Sequence, residues 1–381
     1  MKDLGHWVLR TSQDVKFEVV ETTGLLDPAN PLLGQVPGMS GIHGTRLAVL
    51  DEAVDSLFGS RVREYFGSTA TPVSYMTLPA GDENKTIENV LRVASRLKEI
   101  GTERAGTPPI ALGGGVVQDV VGMASALYRR GIPYVRVPTT LLGQIDGSVS
   151  AKNGVNFEGC RNRLGTFHPP PLTLIDRAFI ATLPERQVRS GMGEVLKMAL
   201  IKDGELFRLL EEFGPVLVQE RLQDTGPLTR DRKPGREVMH RAITGMAEEL
   251  EKNLWEKDLR RIVDYGHTFS PAVEMGSLPG VLHGEAVAMG CLFCAALALN
   301  RGLLSQSEYD RIAQCIHQIG LRPTHEMFFD PEFLERALAD TLRHRGGAQH
   351  LALLTGIGST VFVEDLSDSE ITSASQMMRK L

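Results

Sequence analysis

Apolar and polar positions follow two different patterns along the chain. In the first half, short apolar runs end in turn residues. Residues 46–50 run into Asp51, 109–112 into Gly113, Gly114 and Gly115, 134–137 into Pro138, Thr139 and Thr140, and 172–175 into Asp176. Runs of this length, closed by turn signals, predict buried strands. Between them, 88–100 and 117–129 carry helical periods. Strands alternating with helices predict a parallel α/β sheet that binds ligands at the carboxyl ends of its strands.

After about residue 185 helical periods dominate, over 188–201, 237–263, 283–300, 308–319 and 331–343. The polar stretch 214–235, broken by Pro215, Pro227 and Pro234, predicts a loop, and 351–354 a short strand. A length of 381 residues exceeds one ordinary core. The change of pattern divides the chain into an α/β domain, 1–184, and a mainly α-helical domain, 185–381.

Composition narrows the function classes. The net charge is −6 with well-mixed signs, so no basic stripe points to nucleic acid. Anions must be met by local cations and helix N-termini. Cys160, Cys291, Cys294 and Cys315 do not form a disulfide framework. The apolar run 286–299 around Cys291 and Cys294 is too short for a bilayer and suits a buried helix. MKDLGHWVLRTSQD has no apolar signal core. A soluble cytoplasmic protein without a membrane partner is expected.

Five clusters carry candidate chemistry. Gly113-Gly114-Gly115-Val116-Val117-Gln118-Asp119 follows a strand and opens a helix, so it suits either a pyrophosphate or a plain tight turn. It is not G-x-G-x-x-G. Asp51 suits ribose hydroxyls or a helix N-cap. Asp146, Lys152, Asn156, Arg161, Asn162 and Arg163 gather in a polar loop, fit for a polyhydroxylated phosphate or simply solvated. Glu194 and Lys197 share one face of a helix that is apolar nearly all round, as a salt bridge or as a metal ligand beside a substrate-binding ammonium. Glu256, Arg260, Asp264 and His267, spaced four, four and three, would lie on one helical face, as a site wall or as an exposed charge ladder. His283 opens the apolar helix that follows, as a capping or core residue or as a ligand; with Glu194 and His267 it makes a His₂Glu set, the composition of a catalytic zinc site.

These motifs occur together in one family. GGGVVQD, RRGIPYVRVPTTLLGQID, the Lys152 stretch, GMGEVLK, DYGHTFSP and LHGEAVAMG stand in order. The set resembles the 3-dehydroquinate synthase superfamily, the sugar-phosphate cyclases, over about residues 45–300. The resemblance implies a nucleotide-binding α/β domain plus a helical domain, a homodimer, bound NAD and one divalent metal, zinc or cobalt. It implies Glu194, His267 and His283 as metal ligands. Asp146, Lys152, Asn162, Lys197, Arg260, Asp264 and Arg343 fall at substrate-side positions, and Arg130 at an arginine that reaches the partner subunit's phosphate site. Asp51, Asp82, Lys85, Gly114, Gly115, Val116, Asp119, Thr139, Thr140 and Arg161 fall at cofactor contacts, with Asp82 in place of a usual Glu and Arg161 in place of a usual Lys.

Departures point to a subfamily. Dehydroquinate synthases carry Asn at Asp264, His at Pro271, Lys at Met246 and paired lysines at Leu342-Arg343. The lost cations disfavour a carboxylate-bearing substrate. The pattern is similar to the seven-carbon cyclitol synthases that act on the sugar phosphate sedoheptulose 7-phosphate, and most to the 2-epi-5-epi-valiolone synthases. That reaction implies transient oxidation by NAD, β-elimination of phosphate, re-reduction and intramolecular aldol closure. The alternatives are 2-epi-valiolone or desmethyl-4-deoxygadusol synthesis, then 3-dehydroquinate synthesis, then an NAD-dependent polyol dehydrogenase.

Overall fold

The computed structural model describes residues 6–12, 14–34, 44–69, 71–277, 280–344 and 346–381, so part of the N-terminal stretch read above lies outside the described residues. The first half contains β1 (Glu18–Thr22), β2 (Arg46–Asp51), α1 (Glu52–Gly67), β3 (Val73–Leu78), α2 (Ile87–Glu99), β4 (Ile110–Gly113) and α3 (Gly115–Leu127). It continues with β5 (Val135–Pro138), α4 (Leu141–Ile145), β6 (Lys152–Phe157), β7 (Cys160–Phe167) and β8 (Leu172–Asp176). The second half contains α5 (Glu185–Lys202), α6 (Gly204–Gln219), α7 (Pro234–Lys252), α8 (Ser270–Gly276), α9 (His283–Asn300), α10 (Gln306–Ile319) and α11 (Pro331–His344). It ends with β9 (Leu351–Gly356), β10 (Ser359–Val363) and α12 (Asp368–Met378).

Six strands form one parallel sheet in the order β1-β8-β5-β4-β2-β3. Along β2 the side chains alternate between two cores. Ala48 and Leu50 face α1, while Leu47 and Val49 face α2 and α3. Coverage on both faces explains why these strands read as continuous apolar runs. The chain leaves β2 toward β3 on one side and returns to β4 on the other, so the strand order reverses between β2 and β4. Parallel sheets bind ligands at such a switch point.

The helical half packs around α5 and α9, in a core joined by Leu141, Ile145 and Val149. Glycine sets the approach of the two helices. A Cβ on Gly193 would meet the Gly284 carbonyl oxygen at 2.1 Å, and one on Gly284 the Ser190 oxygen at 1.7 Å. Among the described residues, α9 alone is long and apolar enough to cross a membrane, but 83% of its window is buried within the fold. It is a core helix of 18 residues, longer than the apolar run. No disulfide joins the four cysteines, and Cys291, Cys294 and Cys315 are buried.

Three expectations are corrected. The stretch 214–235 is not one loop: α6 runs through Pro215 to Gln219, because Phe213, Leu217 and Val218 bury their side chains in the helical core. The 237–263 helix ends at Lys252. The Asn253 side chain donates to the Asp258 carbonyl at 2.6 Å and accepts from the Asp258 N–H at 3.2 Å, which closes a loop. The 152–163 stretch is not an open loop but the antiparallel hairpin β6–β7.

Candidate active site

The metal cluster is built on the close pair α5 and α9. Glu194 Oε1 lies 3.1 Å from His283 Nε2 and 3.4 Å from His267 Nε2. Lys197 Nζ sits 2.6 Å from Glu194 Oε2, and both side chains are almost fully buried. One ligand atom from each of Glu194, His267 and His283 lies within 4.8 Å of the other two.

The donor set fits a divalent metal. Neither buried Glu194 oxygen accepts a well-directed hydrogen bond, although cations and rings crowd it. His267 Nδ1 lies 3.2 Å from the Tyr265 carbonyl and His283 Nδ1 2.9 Å from Glu274 Oε2. With Nδ1 turned to these outer partners, the Nε2 atoms of both rings are the ones that face Glu194, the usual arrangement for metal-bound histidine. Burial would raise the Glu194 carboxyl, but Lys197 and the imidazoles hold it well below the usual carboxylate range. Burial works to lower the His283 pKa, yet the neighbouring Glu194 and Glu274 carboxylates raise it to about 9. Burial opposes the charge on Lys197, but Glu194 and Asp146 outweigh it and keep the ammonium. Asp146, at the end of α4, is thus near enough to act on that ammonium.

The carboxyl edge of the sheet forms a second surface beside this cluster. Asp51 ends β2, and its Oδ1 caps α1 through the Ala53 N–H at 2.9 Å. The helix-cap role is thus present, with the second carboxylate oxygen left over. Gly114 begins α3 without a side-chain cap, and a Cβ on Gly115 would meet nothing within 4 Å. Uncapped N–H donors facing open space fit a pyrophosphate. Val116, Thr139 and Thr140 border the same edge, and Thr140 caps α4 through the Gly143 N–H at 3.0 Å. Gln118, which sequence reading did not single out, donates to the Ala111 and Gly113 carbonyls and pins the turn. Lys85 Nζ lies 2.5 Å from Asp119 Oδ2 and donates to Asn162 Oδ1 at 2.6 Å. Asn156 holds Asp82 at 3.0 Å.

A third set lies over the cluster. Lys152 Nζ meets Glu256 Oε1 at 2.7 Å, and Arg261 meets the same oxygen. Arg261 also grips Asp264 through both carboxylate oxygens, at 2.8 Å each. Trp255 packs edge-on against Phe167, with ring centroids 5.7 Å apart. The loop after α7 thereby clasps the β6–β7 hairpin.

The structure does not bring every predicted residue together. Arg260 turns outward, its guanidinium 5.3 Å from the Phe362 ring. Its neighbour Arg261 faces inward instead, because no helix maintains the four-residue spacing. Arg343 is exposed on α11, 3.9 Å from Asp340. Arg130 is exposed between α3 and β5, in the left-handed region at φ 63°. Arg161, expected at the cofactor, pairs with Glu274 and lies 2.9 Å from His283 Nδ1. Glu274 and Arg261 had no local signal, since each makes its contacts only after the chain folds back. Met246 is buried in the helical core, and Pro271 starts α8.

A parallel sheet with an uncapped glycine turn, set against a His₂Glu cluster around buried Glu194, defines a nucleotide-binding metalloenzyme architecture. Residues 75–190 match the model of the 3-dehydroquinate synthase N-terminal domain, and 191–342 that of its C-terminal domain. The chain belongs to the 3-dehydroquinate synthase family. It is 44% identical to a 2-epi-5-epi-valiolone synthase of Streptomyces albus, over 98% of this chain and 91% of that protein. It is 33% identical to the demethyl-4-deoxygadusol synthase of Trichormus variabilis, over 95% and 87% respectively. Among solved structures it is similar to the 2-epi-5-epi-valiolone synthase ValA of Streptomyces hygroscopicus with NAD⁺ and Zn²⁺ bound. That match has a TM-score of 0.91 at 43% identity, covering 98% of this chain and 99% of ValA.

Proposed function

We propose that this chain is a metal- and NAD-dependent sugar-phosphate cyclase. It converts sedoheptulose 7-phosphate to 2-epi-5-epi-valiolone with release of phosphate. The observation that carries this reading is the cluster of buried Glu194 with half-buried His267 and His283, and the Lys197 ammonium beside it. Similarity to 2-epi-5-epi-valiolone synthases over nearly the full length supports the product assignment.

Residues 1–184 carry the nucleotide and 185–381 the metal. When bound, NAD takes up and returns a hydride while the divalent ion, zinc or cobalt, polarises the substrate oxygen at C5. Lys197 and Asp146 orient hydroxyls next to that oxygen. Lys152 and Asn162 hold the phosphate, Lys152 exchanging Glu256 for it. Asp264, held by Arg261, selects hydroxyl donors. Pro271 has no titratable group, so the C6 proton passes to the leaving phosphate. The C6–H electron pair becomes the C6–C7 double bond as the C7–O bond breaks. Arg130, solvent-facing in one subunit, completes the phosphate site of its neighbour in a homodimer, and Arg343 assists. The enzyme works in the cytoplasm without nucleic-acid or membrane partners.

One incubation with sedoheptulose 7-phosphate, NAD and Zn²⁺ or Co²⁺ tests the reading. A cyclase releases phosphate and a cyclic product with no net NADH. NADH accumulation without phosphate release would overturn it in favour of a polyol dehydrogenase. Product NMR separates 2-epi-5-epi-valiolone from 2-epi-valiolone and demethyl-4-deoxygadusol.

A further inference from the structure

Two adjacent residues on one strand touch both halves of the site. Arg161 of β7 reaches Glu274 Oε2, the same oxygen that lies 2.9 Å from His283 Nδ1. The next residue, Asn162, accepts from Lys85 Nζ at 2.6 Å, and Lys85 is paired with Asp119 on the nucleotide-side helix α3. Asn162 sits in the left-handed region at φ 49°, and its backbone N–H is held by Asn156 Oδ1 at 3.1 Å. Glu274 is 5% exposed, so its carboxylate has little water to fall back on. Its two partners are the metal ligand and the hairpin.

We propose that Glu274 is a positioning residue for His283, and that Arg161 couples this outer shell to the nucleotide side through the Arg161–Asn162 dipeptide. Metal and NAD then strengthen each other's binding through these side chains. Glu274 fixes the ring rotation of His283. Arg161 fixes Glu274, and any shift of the hairpin at Asn162 moves both. Coupling of this kind is reciprocal in binding free energy. It rests on the NAD- and metal-dependent reading above.

The test uses the full chain and measures zinc affinity by competition with a chromogenic chelator, with and without NAD. Glu274→Gln should weaken zinc binding about 10- to 100-fold, as outer-shell carboxylates do. Thermal unfolding of the zinc-free protein separates this from a general loss of fold. Arg161→Met should abolish the gain in zinc affinity that NAD gives the wild type, and Arg161→Lys should restore part of it. If Glu274→Gln does not fold, the partly exposed Arg161 carries the test alone. Wild-type zinc affinity in Glu274→Gln, or an equal NAD effect in wild type and Arg161→Met, would overturn the inference. A wild-type chain that bound zinc but no NAD would overturn the functional reading and the coupling with it.

Discussion

The metal cluster and the Lys152–Glu256–Arg261–Asp264 network are both ionic, yet they are built in opposite ways. Glu194 and Lys197 are sealed between α5 and α9, with side chains 1% and 3% exposed. Lys152 is 51% exposed, and its partner Glu256 stands on an irregular loop. A sealed pair cannot be exchanged for water, so it fixes geometry in advance. An open pair loses little when a substrate anion replaces one partner. One region is a frame and the other a grip.

The largest way to break this contrast is Glu194→Ala. Losing the ion forfeits several kcal/mol of transition-state stabilisation, so turnover should fall about 1,000-fold or more. Metal content by mass spectrometry should fall with it, and full metal with full turnover would refute the assignment. Next is Lys197→Met, which strands a buried carboxylate. We expect a loss of about 3–5 kcal/mol in denaturant unfolding of the zinc-free protein, whereas Lys152→Met should change stability by less than about 0.5 kcal/mol. Equal losses would erase the distinction. Chelation is smaller: zinc at about 100 times its dissociation constant should stabilise the fold by about 2.7 kcal/mol, read as a drop in Tm on its removal. The finest test is Lys152→Ala. It should raise KM for the sugar phosphate about tenfold, the weight of one charge-assisted contact of about 1.5 kcal/mol. The metal content should not change.

Much of this was legible in the sequence where burial is two-sided. β2, β4, β5 and β8 announce themselves as apolar runs because helices or loops cover both faces. The edge strands β1 and β3 are half-exposed and mixed in composition, so no run marks them. The β6–β7 hairpin reads as solvated because Lys152, Arg161 and Asn162 make ion pairs and hydrogen bonds rather than pack in a core. The three metal ligands were legible as residue types, and their neighbours gave them context. Glu274 was not: nothing near it in sequence shows that Arg161 and His283 converge on it. Arg261 was passed over for Arg260 because a helical spacing was carried past Lys252, where Asn253 has already turned the chain.

The glycine contact between α5 and α9 limits how new specificities can arise. Gly193 and Gly284 leave no room for even a methyl group between the helices. Variation there would pull Glu194 and His283 apart before it altered any substrate contact. A mutational search for other cyclic products should therefore leave this seam untouched and sample the loop from Asn253 to Asp264, where side chains can change without moving the metal.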